Sequence, residues 1–162
     1  MRLSRRPELC DSEDYIYELK IDGFRALAYI ENSQCDLVLR NGNTFRNFKH
    51  LAEWIGGNLR VENAVLDGEI ACVDDSGRSV FNDLLFRRRE CVFFAFDLLF
   101  LNGEDLRGLP LIERKARLKK LLRRKCSMGH YRPCVRTGRF YSILLFDIKT
   151  RHIRVVFGDR SQ

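Results

Sequence analysis

Alternating apolar and polar positions dominate the first part of the chain and predict β-strands. From Tyr15 to Asp22 the pattern is that of a strand with one solvated face, and it places Lys20 among the polar residues of that strand. Residues 26–30 and 35–40 predict two more strands joined by a short polar turn, and the Asn-Gly-Asn turn signal at 41–43 follows them. The chain therefore opens with consecutive short strands.

Further along the chain, segments with helical spacing alternate with segments that have apolar strand patterns. Helical spacing occurs at 48–55, 81–90 and 110–125. Strand patterns occur at 64–73, 91–100, 140–148 and 152–157. Gly56 and Gly57 are expected to end the first helix, and residues 102–110 are expected to form a loop. The run 91–100 is almost entirely apolar, which predicts a strand buried on both faces.

The helix predicted at 110–125 has the most complete set of helix signals in the chain. Pro110 occupies the expected first position, Glu113 lies near the positive end of the helix dipole, and five of the last seven residues are basic. Its leucines form one apolar stripe: Leu111, Leu118, Leu121 and Leu122. We therefore expect an amphipathic helix, packed by its leucines, in an α+β domain of antiparallel sheets with flanking helices.

The bulk composition indicates a single soluble domain. With 162 residues and 45% hydrophobic composition, the chain has enough apolar side chains for one core. Its first residues carry charges without an apolar stretch, so a secretory signal is not expected. The longest apolar run is interrupted by Asp97 and is shorter than the roughly 20 residues of a membrane helix. These features predict a cytoplasmic location and no membrane partner.

The chain contains six cysteines, Cys10, Cys35, Cys72, Cys91, Cys126 and Cys134. None belongs to a CxxC pair, and no histidine stands at zinc-finger spacing, so a zinc site is not expected. A disulfide framework is not expected in a chain without a signal peptide. The cysteines are therefore predicted to be reduced thiols that pack as small hydrophobic residues.

Charge is distributed very unevenly along the chain. Residues 1–113 contain 14 Lys and Arg against 20 Asp and Glu, a net charge of −6, whereas residues 114–162 contain 15 against 2, a net charge of +13. A basic segment on an acidic body favours a polyanionic partner, most commonly nucleic acid. A solvated basic surface would show the same composition.

Four motifs then change the interpretation of Lys20. They are KIDGFR at 20–25, LRNGNTF at 39–45, VLDGEIACVD at 65–74 and FFAFDLLFLNGEDLRGLPLIERK at 93–115. The first alone is short enough to arise by chance, and Lys20 would then be a solvated strand residue. In this order, the four resemble the successive nucleotidyltransferase motifs of ATP-dependent DNA ligases, most closely the bacterial end-joining type.

The resemblance implies a ligase nucleotidyltransferase (ATP-grasp-like) core and a role for each matching residue. Lys20 would attack the α-phosphate of ATP and form a covalent phosphoramidate, which divides one difficult transfer into two easier ones. The resemblance assigns nucleotide-binding roles to seven residues: Glu18 at the adenine edge, Asp22 organising the loop, Gly23 allowing close approach of the backbone to the phosphates, Arg25 at ribose or phosphate, Arg40 near the sugar, Glu69 at the ribose, and Phe96 stacked on adenine. Glu69 is also the candidate ligand for Mg²⁺ or Mn²⁺. Leu39 replaces a serine that is common in the family.

The resemblance stops after the basic helix. No glutamate follows Glu113, so the glutamate-glycine metal motif of the family is absent, and no lysine pair matches the one that grips the α-phosphate. We therefore divide the chain into a partial adenylation domain at 1–125 and a divergent basic tail at 126–162 with two candidate strands. We also expect the usual C-terminal barrel domain to be missing, as in a truncated or out-of-frame gene or in a rewired minimal domain.

The expected function is that of an ATP-dependent DNA ligase fragment in DNA repair and recombination. It would bind ATP, form lysyl-AMP at most, and act on nicked double-stranded DNA only with a second chain that supplies the missing motifs and barrel. RNA ligases and capping enzymes also use KxDG, and NAD-dependent ligases share the lysine, but the long motif at 93–115 argues against all three. The alternative from another class is a non-catalytic nucleic-acid-binding module.

Overall fold

The computed structural model describes residues 15–39, 42–44, 46–74, 79–86, 88–89, 91–123, 143–145 and 155–159. A six-stranded sheet forms its centre. Its strands are β2 (Phe24–Glu31), β3 (Gln34–Leu39), β4 (Asn63–Cys72), β5 (Cys91–Leu101), β6 (Glu104–Asp105) and β7 (Ile143–Leu145). β1 (Tyr15–Leu19) and β8 (Val155–Asp159) pair antiparallel in a second, two-stranded sheet.

The central sheet runs in the order β3-β2-β4-β5, and all of these neighbours are antiparallel. β6 pairs antiparallel with the end of β5. β7 pairs parallel with Phe93–Ala95, near the start of β5. The helices are α1 (Lys49–Asn58), α2 (Phe81–Leu85) and α3 (Leu111–Arg123), and a 3-10 turn at Arg46–Phe48 precedes α1. The predicted α+β class with antiparallel sheets and flanking helices is confirmed, with β7 as a parallel addition.

One face of the central sheet carries the main core. Ala28 and Leu66 from the strands pack with Ile55 of α1 and Leu118 of α3, and these side chains are almost fully buried. Along β4, Leu66, Gly68 and Ile70 face this core, so Asp67 and Glu69 lie on the opposite face, because strand side chains alternate. A smaller apolar cluster around Ala71, Val92 and Phe94 occupies the opposite face.

The opening strand is shorter than its alternation predicted. β1 ends at Leu19, and residues 20–23 form an irregular connection before β2, so the prediction that Lys20 and Asp22 lie within a strand was wrong. The physical reason is that β1 pairs with β8 whereas β2 pairs with β3 and β4. The chain must leave one sheet and enter the other between them.

Three helix and loop boundaries also differ from the prediction. α1 continues through Gly56 and Gly57 to Asn58, so the expected stop at the glycine pair was wrong. α2 is only five residues long, because the chain turns after it toward the start of β5. The predicted loop at 102–110 contains the short strand β6.

The remaining elements agree with the prediction. β4 and α3 match within two residues, as far as the structure describes them, and Leu111, Leu118 and Leu122 of the leucine stripe are buried. β5 differs from the prediction in its burial: both faces are fully buried only from Cys91 to Ala95, and most of the later residues are partly buried. β7 lies within the strand predicted at 140–148, and β8 overlaps the one predicted at 152–157. Within the described residues, no helix is long and apolar enough to span a membrane.

Candidate functional site

The connection between the two sheets carries Lys20. Its side chain is 51% exposed, and its amine contacts the carboxylate of Asp22 two residues later. The backbone N–H of Asp22 donates to the Ser79 hydroxyl at 3.4 Å. Since Ser79 also forms a bridge with Val73, just beyond β4, the Lys20 connection is attached to that end of the sheet.

Gly23 docks this connection onto β4. Its N–H donates to Oε1 of Glu69 at 2.9 Å. A Cβ atom at position 23 would lie 2.2 Å from the carbonyl oxygen of Ile70, so only glycine allows the chain to pass this close to β4. This close approach is to β4; the approach of the Gly23 backbone to phosphates stays a prediction.

Arg25 faces the same side of the sheet and pairs with Asp67. Its Nε and Nη2 donate to the two carboxylate oxygens at 3.0 and 2.5 Å. This two-pronged geometry fixes the plane of the guanidinium group. In the strand register Arg25 lies opposite Glu69, so the first and third motifs meet on neighbouring strands.

Glu69 is the carboxylate at the centre of this group. Burial raises its pKa above the ordinary value of 4.5, while the Gly23 N–H and the charges of Arg25 and Lys20 pull it back and Asp22 adds to the increase. Gly23 donates to Glu69, Arg25 lies opposite it in the register, and Lys20 and Asp22 contact each other in the connection that Gly23 docks. The structure therefore assembles five of the predicted site residues.

Phe96 occupies a β-bulge on the same face. Asp67 pairs with Asp97 and Gly68 pairs with Ala95, so Phe96 is left between them without a partner in the ladder. A bulge of this kind redirects a side chain while the strand continues. The Phe96 ring is partly buried and packs on the small apolar cluster, as does Ile21, the residue after Lys20. The aromatic candidate and the lysine connection thus flank one cluster.

Two consecutive residues of α3 hold the bulge. Lys115 donates from Nζ to the Phe96 carbonyl oxygen at 2.8 Å. Arg114 binds both carboxylate oxygens of Asp97 at 2.9 to 3.2 Å and the Leu109 carbonyl at 2.5 Å. Both members of the Arg114–Asp97 pair are mostly buried, at 11% and 15% exposure. The two ends of the long motif at 93–115 are therefore joined in space.

The structure does not describe the side chains of two predicted site residues, Glu18 and Arg40. The backbone of Glu18 belongs to β1, but its side chain is outside the described part of the structure, and Arg40 lies wholly outside it. In the described residues, no three His, Cys, Asp or Glu side chains come together as a metal cluster. The role of Glu69 as a metal ligand stays a prediction.

Sequence reasoning missed four charged residues that shape the site. They are Asp67, Asp97, Arg114 and Lys115, which hold Arg25 and the bulge. All four stand inside the quoted motifs, which was the available signal. Their partners are set by strand register and helix packing, which the local pattern does not contain.

Known proteins have sequences and folds similar to those of this chain. The family model for the ATP dependent DNA ligase domain matches residues 5–133. The multifunctional non-homologous end joining protein LigD of Pseudomonas aeruginosa is 37% identical over 115 residues, covering 67% of this chain and 14% of that protein. The bifunctional LigD of Bacillus subtilis is 32% identical over 145 residues, covering 75% of this chain and 24% of that protein. The chain thus spans less than a quarter of these relatives.

Solved structures share the fold. Mycobacterial DNA ligase D, complexed with ATP and MES, aligns with a TM-score of 0.63 and 28% identity, over 68% of this chain and 38% of that one. The ligase domain of M. tuberculosis LigD aligns with a TM-score of 0.64 and 28% identity, over 68% of this chain and 37% of that one. The predicted resemblance to bacterial end-joining ligases is confirmed, and the chain belongs to the ATP-dependent DNA ligase family through its adenylation (nucleotidyltransferase) domain.

Proposed function

We propose that the chain binds ATP and transfers AMP to Lys20. The observation that carries this proposal is the docking of the Lys20–Gly23 connection onto β4 through Gly23 and Glu69. It brings the candidate nucleophile beside the strand that carries the family's carboxylate motif. Family membership supports the same chemistry.

The surrounding side chains fit a nucleotide. Lys20 and Arg25 supply positive charge for phosphates, and Phe96 offers an aromatic face on the same side of the sheet. Stacking on an aromatic ring is the usual way to hold a base without reading its identity. We assign Glu18 to the adenine edge and Arg40 to the sugar, as the resemblance implies.

In the proposed reaction, the Lys20 ammonium gives one proton to solvent before the attack and a second proton to solvent as its nitrogen forms a bond to the α-phosphorus of ATP. The bond to the bridging oxygen breaks, and pyrophosphate leaves with that electron pair. In the structure the Lys20 amine contacts Asp22, so binding of the nucleotide must replace this contact with the phosphate. Asp22 thus orients the Lys20 amine in the structure.

Mg²⁺ or Mn²⁺ would be held by Glu69 together with the phosphates. A magnesium ion is usually bound by one or two carboxylates plus substrate phosphates, so a single carboxylate fits this donor set. The metal would supply charge neutralisation for the leaving pyrophosphate.

Nicked double-stranded DNA is the proposed partner, and repair or recombination the proposed process. The net charge of +13 in residues 114–162 suits phosphate contacts. We do not expect this chain alone to seal a nick, because the glutamate-glycine metal motif and the lysine pair of the family are absent from its sequence. Loss of one preorganised electrostatic contact typically slows a reaction about 10²- to 10³-fold. A second chain with those groups would complete the site.

The test uses ATP labelled in the α-phosphate, with Mg²⁺, followed by denaturation of the protein. We expect label that stays with the protein and is absent from Lys20→Ala. ATP labelled in the γ-phosphate should leave no label, because pyrophosphate departs. Lys49→Ala is the matched control, since Lys49 is an exposed lysine on α1, 76% accessible.

A nicked duplex added to the same reaction separates the two classes of function. Lys20-dependent labelling without sealing supports the proposal. Salt-dependent DNA binding with no covalent label from ATP would instead favour the non-catalytic nucleic-acid-binding module.

A further inference from the structure

Two buried thiols face each other at the end of the central sheet. Cys72 is the last residue of β4, Cys91 is the first residue of β5, and the two are direct partners in the antiparallel register. Their sulfur atoms lie 2.7 Å apart, and the residues are only 1% and 8% exposed. Neither thiol belongs to the proposed adenylation chemistry.

The backbone geometry already suits a covalent bond between them. Residues directly opposite in an antiparallel pair have Cα atoms about 4.5 to 5.5 Å apart. Disulfides form when the Cα atoms are about 4.4 to 6.8 Å apart. Directly opposite residues such as Cys72 and Cys91 therefore have a Cα spacing within the range that a disulfide needs. Both thiols also lie near the carbonyl oxygen of Arg89, at 3.6 and 3.8 Å, which keeps them on the same side of the turn.

We propose that Cys72 and Cys91 are a reversible oxidation site, which a peroxide converts into an intramolecular disulfide. One thiolate attacks a peroxide oxygen, the O–O bond breaks, and a sulfenic acid forms with release of one water. The second thiol attacks that sulfur, the S–O bond breaks, and a second water leaves. The two thiols lose two electrons and two protons, and the peroxide accepts both. A thiol reductant reverses the reaction by exchange.

Burial of the two thiols makes this oxidation slow. The pKa of the Cys72 thiol is raised by desolvation; its hydrogen bond with Cys91 and the charge of Arg89 act in the opposite direction, while Asp83 raises it further. Because the thiolate is the reacting species, oxidation is slow near neutral pH. This behaviour suits a site that stays reduced under ordinary conditions and responds to sustained oxidant.

The cross-link would lie close to the Lys20 connection. Cys72 accepts a backbone hydrogen bond from Val80 at 2.9 Å, and the neighbouring bridge from Val73 reaches Ser79. The Ser79 hydroxyl is the acceptor for the Asp22 N–H. A disulfide at this position would join the two ends of the segment 72–91. That segment contains Ser79, so the cross-link would act next to the Lys20 connection.

The experiment treats the purified full chain with hydrogen peroxide and removes the peroxide with catalase. Remaining thiols are blocked with N-ethylmaleimide in denaturant, and the digest is analysed by mass spectrometry. We expect a peptide pair linking Cys72 to Cys91 as the main cross-linked species, which disappears after dithiothreitol. The linked protein should also unfold at a higher temperature than the reduced protein.

Three variants make the result specific. A chain with Cys10, Cys35, Cys126 and Cys134 replaced by serine retains only the proposed pair and should form the same link. Cys91→Ala should abolish the link and the shift in unfolding temperature, whereas Cys35→Ala should change neither. Burial raises the pKa of the Cys35 thiol to about 12, and this residue lies on β3, two strands away from β4. Maleimide labelling of both thiols after peroxide, or links from Cys72 to other cysteines, would overturn the proposal.

Discussion

At the scale of single residues, Glu69 links the fold to the proposed chemistry. Its carboxylate accepts the Gly23 N–H, lies opposite Arg25, and is half-buried beside the Lys20 connection. The carboxylate thus holds the connection in place while the same group is proposed to meet metal or ribose. Its pKa, raised above 4.5 by burial, means that folding favours the protonated form.

The pH dependence of stability tests this account of Glu69. Because the folded chain binds this proton more tightly than the unfolded chain, the stability due to protonation is full below about pH 4.5 and is lost as the pH rises through the raised pKa. The free energy of unfolding of the wild type should therefore fall, relative to Glu69→Gln, as the pH rises above 4.5. Chemical denaturation across this range measures the difference.

The glutamine keeps an oxygen for the Gly23 N–H, so the variant removes the titration and preserves the contact. Glu53→Gln controls for loss of a carboxylate from an exposed position on α1. A difference between wild type and Glu69→Gln that does not change with pH would contradict the burial of Glu69.

Substitutions of Phe96 test the proposed nucleotide site separately from the chemistry at Lys20. If its ring stacks on adenine, Phe96→Ala should weaken ATP binding by about 1–3 kcal/mol, and Phe96→Tyr should bind nearly as well as wild type. Truncating a core phenylalanine also costs about 3–5 kcal/mol of stability, so binding is measured by calorimetry on protein shown to be folded. Equal ATP affinity in folded Phe96→Ala would remove the stacking role.

At the scale of elements, the packing of α1 explains why the helix does not stop at Gly56 and Gly57, as the sequence predicted. A Cβ at Gly56 would lie 2.6 Å from the Ser33 carbonyl oxygen in the β2–β3 turn, whereas a Cβ at Gly57 meets nothing within 4 Å. Gly56 is therefore required by close packing of the helix against the hairpin. Glycine in this pair does not signal the end of the helix.

The two glycines provide a matched pair of substitutions. Gly56→Ala should destabilise the protein by about 1–3 kcal/mol, the usual cost of overpacking. Gly57→Ala should stabilise it by about 0.5–1 kcal/mol, because alanine favours the helix and no neighbour has to move. Denaturant unfolding of both variants checks the signs. Similar effects from the two substitutions would show that α1 does not pack on the turn at Ser33.

The elements differ in how far the sequence could predict them. β4 and α3 were predicted closely because their apolar periodicity is local. The break at residues 20–23 and the bulge at Phe96 were not, because each results from pairing with distant strands. The same holds for the Arg25–Asp67 and Arg114–Asp97 pairs: their residues were visible in the motifs, but their partners are determined by register and packing.

At the scale of the whole molecule, the two faces of the central sheet carry different kinds of residues. The helices and the main core cover one face, and Arg25, Asp67 and Glu69 lie on the other with the smaller cluster. Charged residues can thus be exposed to a ligand without disturbing the main core. Residues of the first, third and fourth motifs, which are far apart in sequence, lie together on this second face.

The most direct test of the central claim is to locate AMP on the protein. The chain is incubated with ATP and Mg²⁺, digested, and mapped by mass spectrometry, with Lys20→Ala and Lys49→Ala treated in parallel. We predict an AMP adduct on the peptide containing Lys20 in the wild type and in Lys49→Ala, and none in Lys20→Ala. An adduct on another lysine, or one that survives in Lys20→Ala, would contradict the assignment of Lys20 as the nucleophile.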